Sequence, residues 1–322
     1  MSNEQNYPYD REALRAKLRT LDQVPGVAKP DPILTVEHVE RRFGGMTAVN
    51  VERLEVQRGA ITALIGPNGA GKTTFFNLIT GFDVPSNAKK LFGGGDATWS
   101  FNGKMIHRTG ASQAARAGMV RTFQLTKALS RMTVMQNMLI GANDQPGENL
   151  FIAPFKPLWA KREQENIERA EELLVRFKLD AKKNDMAGDL SGGQKKLLEM
   201  ARALMSRPAM IMLDEPMAGV NPALTQSLLD HIQALRDEGT TVLFVEHDMH
   251  MVRHISDWVV VMAQGEIIAE GLPETVMTSE AVIDAYLGAH HDKDLGDDDA
   301  LTTGVMRAIA TESAEEVEEE TR

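Results

Sequence analysis

One stretch constrains this chain more than any other: Gly66-Pro67-Asn68-Gly69-Ala70-Gly71-Lys72-Thr73-Thr74. Gly66, four intervening residues and then Gly71-Lys72-Thr73 reproduce the spacing of a phosphate-binding loop. The flanks agree. Ala60 to Ile65 is a short apolar run that reads as a buried strand, and Thr73 to Thr80 reads as the helix leaving the loop. Bare backbone at Gly69 and Gly71 lets successive N–H groups point at phosphate oxygens, and the helix N-terminus adds partial positive charge there. Lys72 is expected to reach the β- and γ-phosphates and the Thr73 hydroxyl to ligate Mg²⁺. The competing reading, an ordinary glycine-rich turn, explains neither the Lys-Thr pair nor the strand before it.

A phosphate loop needs a carboxylate to complete Mg²⁺ binding. Met210-Ile211-Met212-Leu213 is apolar and ends in Asp214-Glu215-Pro216. Asp214 is therefore the candidate metal carboxylate. Glu215 is the candidate acceptor for a proton from a water attacking the γ-phosphate. Another apolar strand, Thr240 to Val245, ends in Glu246-His247-Asp248, and His247 is a candidate γ-phosphate contact. A second glycine-rich helix start, Leu190-Ser191-Gly192-Gly193-Gln194, makes another anion site by the same physics. Two such sites in one chain make sense if the second caps a nucleotide held by the first site of another copy.

Composition narrows the class. The chain has 322 residues, 43% hydrophobic, enough for a sizeable core, and contains no Cys, which excludes a disulfide frame and thiol chemistry. The first residues lack a basic region followed by an apolar run, so no secretory signal is expected. The late apolar run Trp258 to Ala263 is too short to span a bilayer, so any membrane association is expected to be peripheral. Net charge is −11, and residues 289–322 carry −8 of it, from eleven acids against three bases. The body is close to neutral, with no basic face for nucleic acid. An acidic segment follows it, expected to be disordered.

Along the chain, Asp10 is expected to cap a short helix bearing Leu14, Leu18 and Leu21 on one face. It reads as an arm packed on its own domain in preference to a docking helix for a partner. Ile33 to Val39 reads as a strand, followed by Phe43-Gly44-Gly45; Phe43 by itself reads as a core or turn residue in preference to a base platform. Residues 85–96 read as an exposed loop insert, with Gly93-Gly94-Gly95 a turn. Ala111 to Gly118 is helix-like and Met119 to Phe123 strand-like. A mostly helical region follows from Thr133 to Leu179, with an amphipathic helix at Lys161 to Phe177. Helices are expected from Ser191 to Ser206 and Pro222 to Asp237, strands at Trp258 to Met262 and Glu266 to Ala269, and short helices at Pro273 to Met277 and Ser279 to Leu287.

Taken together these motifs resemble the ATP-binding subunits of ABC transporters over roughly residues 33–290. Gly66–Thr74 resembles Walker A, Gln124 the Q-loop, Leu190–Gln194 the signature motif, Asp214 the Walker B aspartate, Glu215 its catalytic glutamate and His247 the switch histidine. Phe43-Gly44-Gly45, Arg121-Thr122-Phe123-Gln124, Ala218-Gly219-Val220-Asn221-Pro222, His247-Asp248-Met249 and Ala285-Tyr286-Leu287-Gly288 look closest to the branched-chain amino acid (Liv-type) importers. Two departures stand out: Phe43 replaces the Tyr common at the adenine-stacking position, and Asn221 replaces the usual Asp after Walker B.

The resemblance implies an α/β P-loop NTPase fold of the ABC nucleotide-binding type, with an antiparallel β layer and a helical subdomain. The implied organisation is an N-terminal extension (1–30), the ATPase domain (31–290, with the helical subdomain at about 125–190) and the acidic tail (291–322). ATP and Mg²⁺ are the implied ligands, with Phe43, Asn68, Gly69, Gly71, Lys72, Thr73, Thr74 and Gln124 on one side of the nucleotide. Ser191, Gly192, Gly193 and Gln194 of a second ATPase chain, identical or related, form the other side. Thr73, Gln124 and Asp214 are implied around the metal, and Glu215 and His247 in catalysis. Implied partners are transmembrane permease subunits and, indirectly, a periplasmic or extracellular solute-binding protein. The implied location is cytoplasmic, on the inner face of the membrane, and the implied activity is ATP hydrolysis driving solute import. A lipid or lipopolysaccharide extractor and a soluble non-transport ABC ATPase are the alternatives.

Overall fold

The computed structural model describes residues 11–88, 96–107, 109–122, 129–143 and 159–291. The glycine run 93–95, Gln124 and the segment 292–322 lie outside the described residues.

The chain opens with helix α1 (Arg11–Arg19) and a long hairpin, β1 (Pro32–Phe43) and β2 (Met46–Gln57). Next come β3 (Ile61–Ile65), α2 (Lys72–Ile79), β4 (Thr98–Phe101), β5 (Lys104–Met105), α3 (Ala111–Arg116) and β6 (Met119–Arg121). Helices α4 (Val134–Ile140), α5 (Ala160–Arg176) and α6 (Gly192–Leu204) precede β7 (Met210–Asp214), α7 (Pro222–Asp237) and β8 (Thr241–Val245). The folded body ends with α8 (Met249–Ile255), β9 (Trp258–Ala263), β10 (Glu266–Gly271), α9 (Pro273–Val276) and α10 (Glu280–His291).

The strands form two sheets. An antiparallel sheet has the order β2-β1-β4-β5, and a mixed sheet has the order β10-β9-β3-β8-β7-β6. In the second, β9, β3, β8, β7 and β6 run parallel, and only β10 returns antiparallel. Its central strands are buried on both faces, which is why they read as unbroken apolar runs.

Alternation along each strand sorts the side chains between two cores. Ile61, Ala63, Ile65, Ile211, Leu213, Val242, Phe244, Val259 and Val261 face the core they share with α4–α7. Ala60, Leu64, Met210, Met212, Leu243, Val245, Val260 and Met262 face the core shared with α2 and the antiparallel sheet.

Several elements differ from the sequence reading. The strand expected at Ile33–Val39 is the front half of a twelve-residue strand. Its partner β2 escaped detection because the exposed Asn50 and Glu52, the half-buried Arg53 and the buried Glu55 interrupt the hydrophobic pattern. Helix α8, capped by the Asp248 side chain on the Met251 N–H (3.1 Å), was not anticipated either. Helix α10 runs on to His291, past the Leu287 end expected. Helix α1 buries Leu14 and Leu18 in the core between the two sheets.

Candidate nucleotide site

Three neighbouring strands deliver the candidate residues to one edge of the mixed sheet. In register, Leu64 of β3 pairs with Val245 of β8, and Val245 pairs with Asp214 of β7. Because these strands are parallel, the loops leaving their C-terminal ends emerge side by side: Gly66–Gly71 after β3, Glu215–Asn221 after β7, Glu246–Asp248 after β8. A crevice at the carboxyl ends of parallel strands is where ligands bind in open α/β sheets.

The phosphate loop is built by close backbone approach. Gly66 has φ +146°, and a Cβ there would meet the Met262 carbonyl oxygen at 2.0 Å. Gly71 has φ +97°, and a Cβ there would meet the Ala48 carbonyl oxygen at 2.3 Å. Neither position tolerates a side chain, so these two glycines are demanded by packing as well as by conformation. Ala70 accepts from the Gly265 N–H (3.0 Å), which ties the β9–β10 turn to the loop. Asn68, Gly69 and Thr73 are exposed, and Thr74 is partly so. Lys72 is buried, and its ammonium donates to the carbonyls of Gly66 (2.6 Å) and Pro67 (3.0 Å). Burial lowers its pKa to about 8, against the opposing pull of Glu215 and Asp214.

Asp214 is 2% exposed. One oxygen, Oδ2, accepts from Arg121 (2.6 Å), while Oδ1 is buried with no hydrogen-bond partner among the described residues. A buried carboxylate oxygen without a partner is costly in water-free surroundings and suits a site where a cation or its water completes the set. Among the described residues no cluster of three or more His, Cys, Asp or Glu could hold a metal by itself. Mg²⁺ is commonly held by one or two protein groups plus substrate phosphates. The donor set present, Asp214 and the exposed Thr73 hydroxyl, fits that ion.

Glu215 and His247 meet. His247 Nε2 lies 2.7 Å from Glu215 Oε1. Glu215 sits at φ +49° with its N–H on the Val245 carbonyl (3.0 Å), so its backbone is held in the left-handed region. Beside them Glu246 is buried and accepts from the Met217 N–H (2.8 Å) and the His247 N–H (3.3 Å). Desolvation raises its pKa, although both N–H groups oppose the shift.

Ser191 caps α6 in a capping box: the Gln194 N–H donates to Ser191 Oγ (3.3 Å), and the Ser191 N–H donates to Gln194 Oε1 (3.0 Å). Ser191 and Gly192 are exposed, and space at Gly192 is open; a Cβ at Gly193, by contrast, would meet the Leu224 side chain at 2.0 Å. Phe43 ends β1 with 47% of its surface exposed and the Arg41 guanidinium 4.6 Å from its ring. It is therefore outside the core, and β2, which returns from it, places Ala48 on Gly71.

Sequence reasoning missed three residues here. Arg121 bridges Asp214 and Asn77 (2.6 Å each) from a strand where an unpaired cation would be costly. Glu246 repeats the apolar-strand-then-carboxylate pattern of Asp214, a signal that was readable. Lys196 sits inside a helix that looked ordinary.

The described residues contain no helix long and apolar enough to cross a membrane. The ABC transporter family matches residues 49–218, and the branched-chain amino acid ATP-binding cassette transporter family matches residues 266–292, the stretch of β10, α9 and α10. In that stretch the buried phenol oxygen of Tyr286 lies beside the Gly66 backbone, and burial raises its pKa.

The chain is 41% identical over 257 residues to the "Probable branched-chain amino acid transport ATP-binding protein LivG" of Archaeoglobus fulgidus, covering 80% of this chain and 96% of that protein. It is 42% identical over 259 residues to the high-affinity branched-chain amino acid transport ATP-binding protein BraF of Pseudomonas aeruginosa, covering 80% and 98%. A crystal structure of a nucleotide-free ATP-binding cassette from an ABC transporter superposes with a TM-score of 0.67 at 36% identity, covering 83% of this chain and all of that one. The ADP conformation of an ABC transporter cassette matches at TM-score 0.67 and 37% identity, covering 80% and 99%.

Proposed function

The chain belongs to the family of ABC transporter ATP-binding subunits, and on that premise we propose that it powers the import of branched-chain amino acids, or a related small polar solute, through separate transmembrane permease subunits. One observation carries the solute class: nearly full-length relatives named for branched-chain amino acid transport are joined by a match of residues 266–292 to the family of that name. The protein works on the inner face of the cell membrane, with a solute-binding protein acting on the far side of the permease.

ATP lies on the loop 66–74. The exposed N–H groups around Gly69 and the α2 N-terminus hold its phosphates, and Lys72 leaves the Gly66 and Pro67 carbonyls to pair with them. Phe43 stacks on the base, and Asn68 and Thr74 line the phosphates. Asp214, Thr73 and Gln124 would hold Mg²⁺, which would supply charge neutralisation at the phosphates. Arg121 keeps Asp214 oriented. Glu215 accepts the proton of the attacking water, and His247, at 2.7 Å, fixes the carboxylate that does so. The exposed Ser191-Gly192 end of α6, with Gly193 and Gln194 behind it, closes on the nucleotide of a second ATPase chain. The helical region containing α4 and α5 faces the permease.

The test is Glu215→Gln, which removes the proton acceptor and leaves the phosphate cradle intact. Steady-state hydrolysis should fall by about 10²-fold or more while equilibrium binding of labelled ATP is kept. Near-normal turnover in this variant would refute the assignment. Uptake of a radiolabelled branched-chain amino acid by cells carrying the transporter genes, lost in the same variant, tests the solute class.

A further inference from the structure

The segment that follows β7 is gripped from two sides. On one side the Lys196 ammonium donates to the carbonyl oxygens of Glu215 (3.3 Å), Pro216 (3.1 Å) and Ala218. An ammonium has three N–H donors, and here each has a carbonyl of the same four-residue segment. On the other side Glu246 accepts from the Met217 N–H at 2.8 Å. Three carbonyls and one N–H of 215–218 are thus held by two side chains from different elements, Lys196 of α6 and Glu246 at the end of β8. The conformation being held is a strained one, since Glu215 stands at φ +49°. Positions of this kind persist only when their surroundings over-determine them.

Lys196 is half-buried. Burial lowers its pKa, and the carboxylates Glu246, Glu199 and Glu215 draw it back up. Its place is not required for α6 to form, because the cap and the apolar face of that helix lie elsewhere: Ser191 at the start, then Leu197, Leu198, Ala201 and Leu204. What the ammonium does is bind the backbone beneath Glu215 to the helix that presents Ser191.

We propose that Lys196 is a positioning residue for ATP hydrolysis: it holds the Glu215–Ala218 backbone so that the Glu215 carboxylate stays within reach of His247 and of the water it activates. The proposal rests on the reading of Glu215 as the hydrolytic carboxylate. A displacement of about 1 Å at such a group is worth up to roughly 10²-fold in rate, and the hydrogen bonds of Lys196 go to the 215–218 backbone and not to the loop 66–74.

The experiment compares full-length Lys196→Met, Lys196→Arg, Glu215→Gln and the Lys196→Met/Glu215→Gln double variant, assayed for ATPase at saturating protein concentration and for equilibrium binding of labelled ATP. Lys196→Met should lower kcat by about tenfold or more, with KM and ATP affinity unchanged. Lys196→Arg, which keeps the charge and the donors, should recover most of that loss. In the Glu215→Gln background Lys196→Met should cause no further loss, as expected for residues acting as a unit. Should Lys196→Met not fold, Lys196→Gln, which has only two N–H donors, replaces it under the same criteria. An unchanged kcat overturns the proposal, as does a loss shared by kcat and ATP affinity that Arg does not restore, or an undiminished loss in the Glu215→Gln background. Turnover retained by Glu215→Gln alone is visible without any Lys196 variant, and it overturns the underlying reading together with the proposal.

Discussion

Lys72 is a cation folded onto its own loop. Its ammonium donates to two carbonyls at 2.6 and 3.0 Å, but burial outweighs the pull of the two nearby carboxylates, and its pKa falls from 10.5 to about 8. The sign of the consequence follows. The folded value lies below the unfolded one, so the charged form costs stability in the nucleotide-free protein. That cost is complete below about pH 8 and fades as pH rises toward 10.5. Phosphate supplies the missing countercharge and raises the pKa again. ATP binding between these pH values should therefore take up protons, and ATP affinity should weaken as pH rises past 8. Calorimetry in two buffers of different ionisation enthalpy measures the uptake. Lys72→Ala should abolish it and bind ATP more weakly; equal heats in both buffers for the native protein would count against this account.

At the scale of elements, the segment from α1 to β1 is pinned to the far end of the mixed sheet by ionic contacts to two buried carboxylates. Arg15 reaches Asp257 at 2.8 Å, and Asp257 also accepts the Ile61 N–H at 2.9 Å, anchoring β3 at its start. Lys29 lies against Glu270 at 3.5 Å and over the Trp258 ring at 4.3 Å, with both charged side chains almost fully buried. Burial lowers the Lys29 pKa and raises that of Glu270, each offset by the other. A pair of this kind adds little net stability over an apolar replacement, but removing one partner strands the other. Lys29→Met should cost about 3–5 kcal/mol in urea unfolding at neutral pH. Lys29→Met/Glu270→Gln should recover a large part of it. Equal losses in the single and double variants would show that Lys29 acts through packing alone.

At the scale of the molecule, two sheets and two cores make one body that runs to α10, whose Tyr286 sits against Gly66. A truncation at Gly288 would cut into that helix; the boundary to test is His291. Residues 292–322 keep the net charge of −8 and few large apolar side chains. That charge opposes an approach to phosphate. Deleting 292–322 should leave ATP affinity and isolated ATPase activity unchanged, with any effect confined to the assembled permease complex. A large loss in the isolated truncated protein would make the segment part of the catalytic unit.

The phosphate loop, the Asp214-Glu215 strand end, His247 and the Ser191 helix start were legible in the chain because each depends on neighbours in sequence. A strand of apolar residues, a glycine where a Cβ has no room and a cap three residues from its partner are all local requirements. So was most of the α/β alternation. What stayed hidden depends on residues far apart. Arg121 reaches Asp214 across 93 positions, Glu246 grips Met217 across 29, and Lys196 bonds Glu215 across 19. None of these side chains has a local pattern that names its partner, because the partner is chosen by strand order. Placing β3 beside β8 and β8 beside β7 converts three separate strand ends into one site, and the desolvation that lowers Lys72 and raises Glu246 exists only once that packing has excluded water.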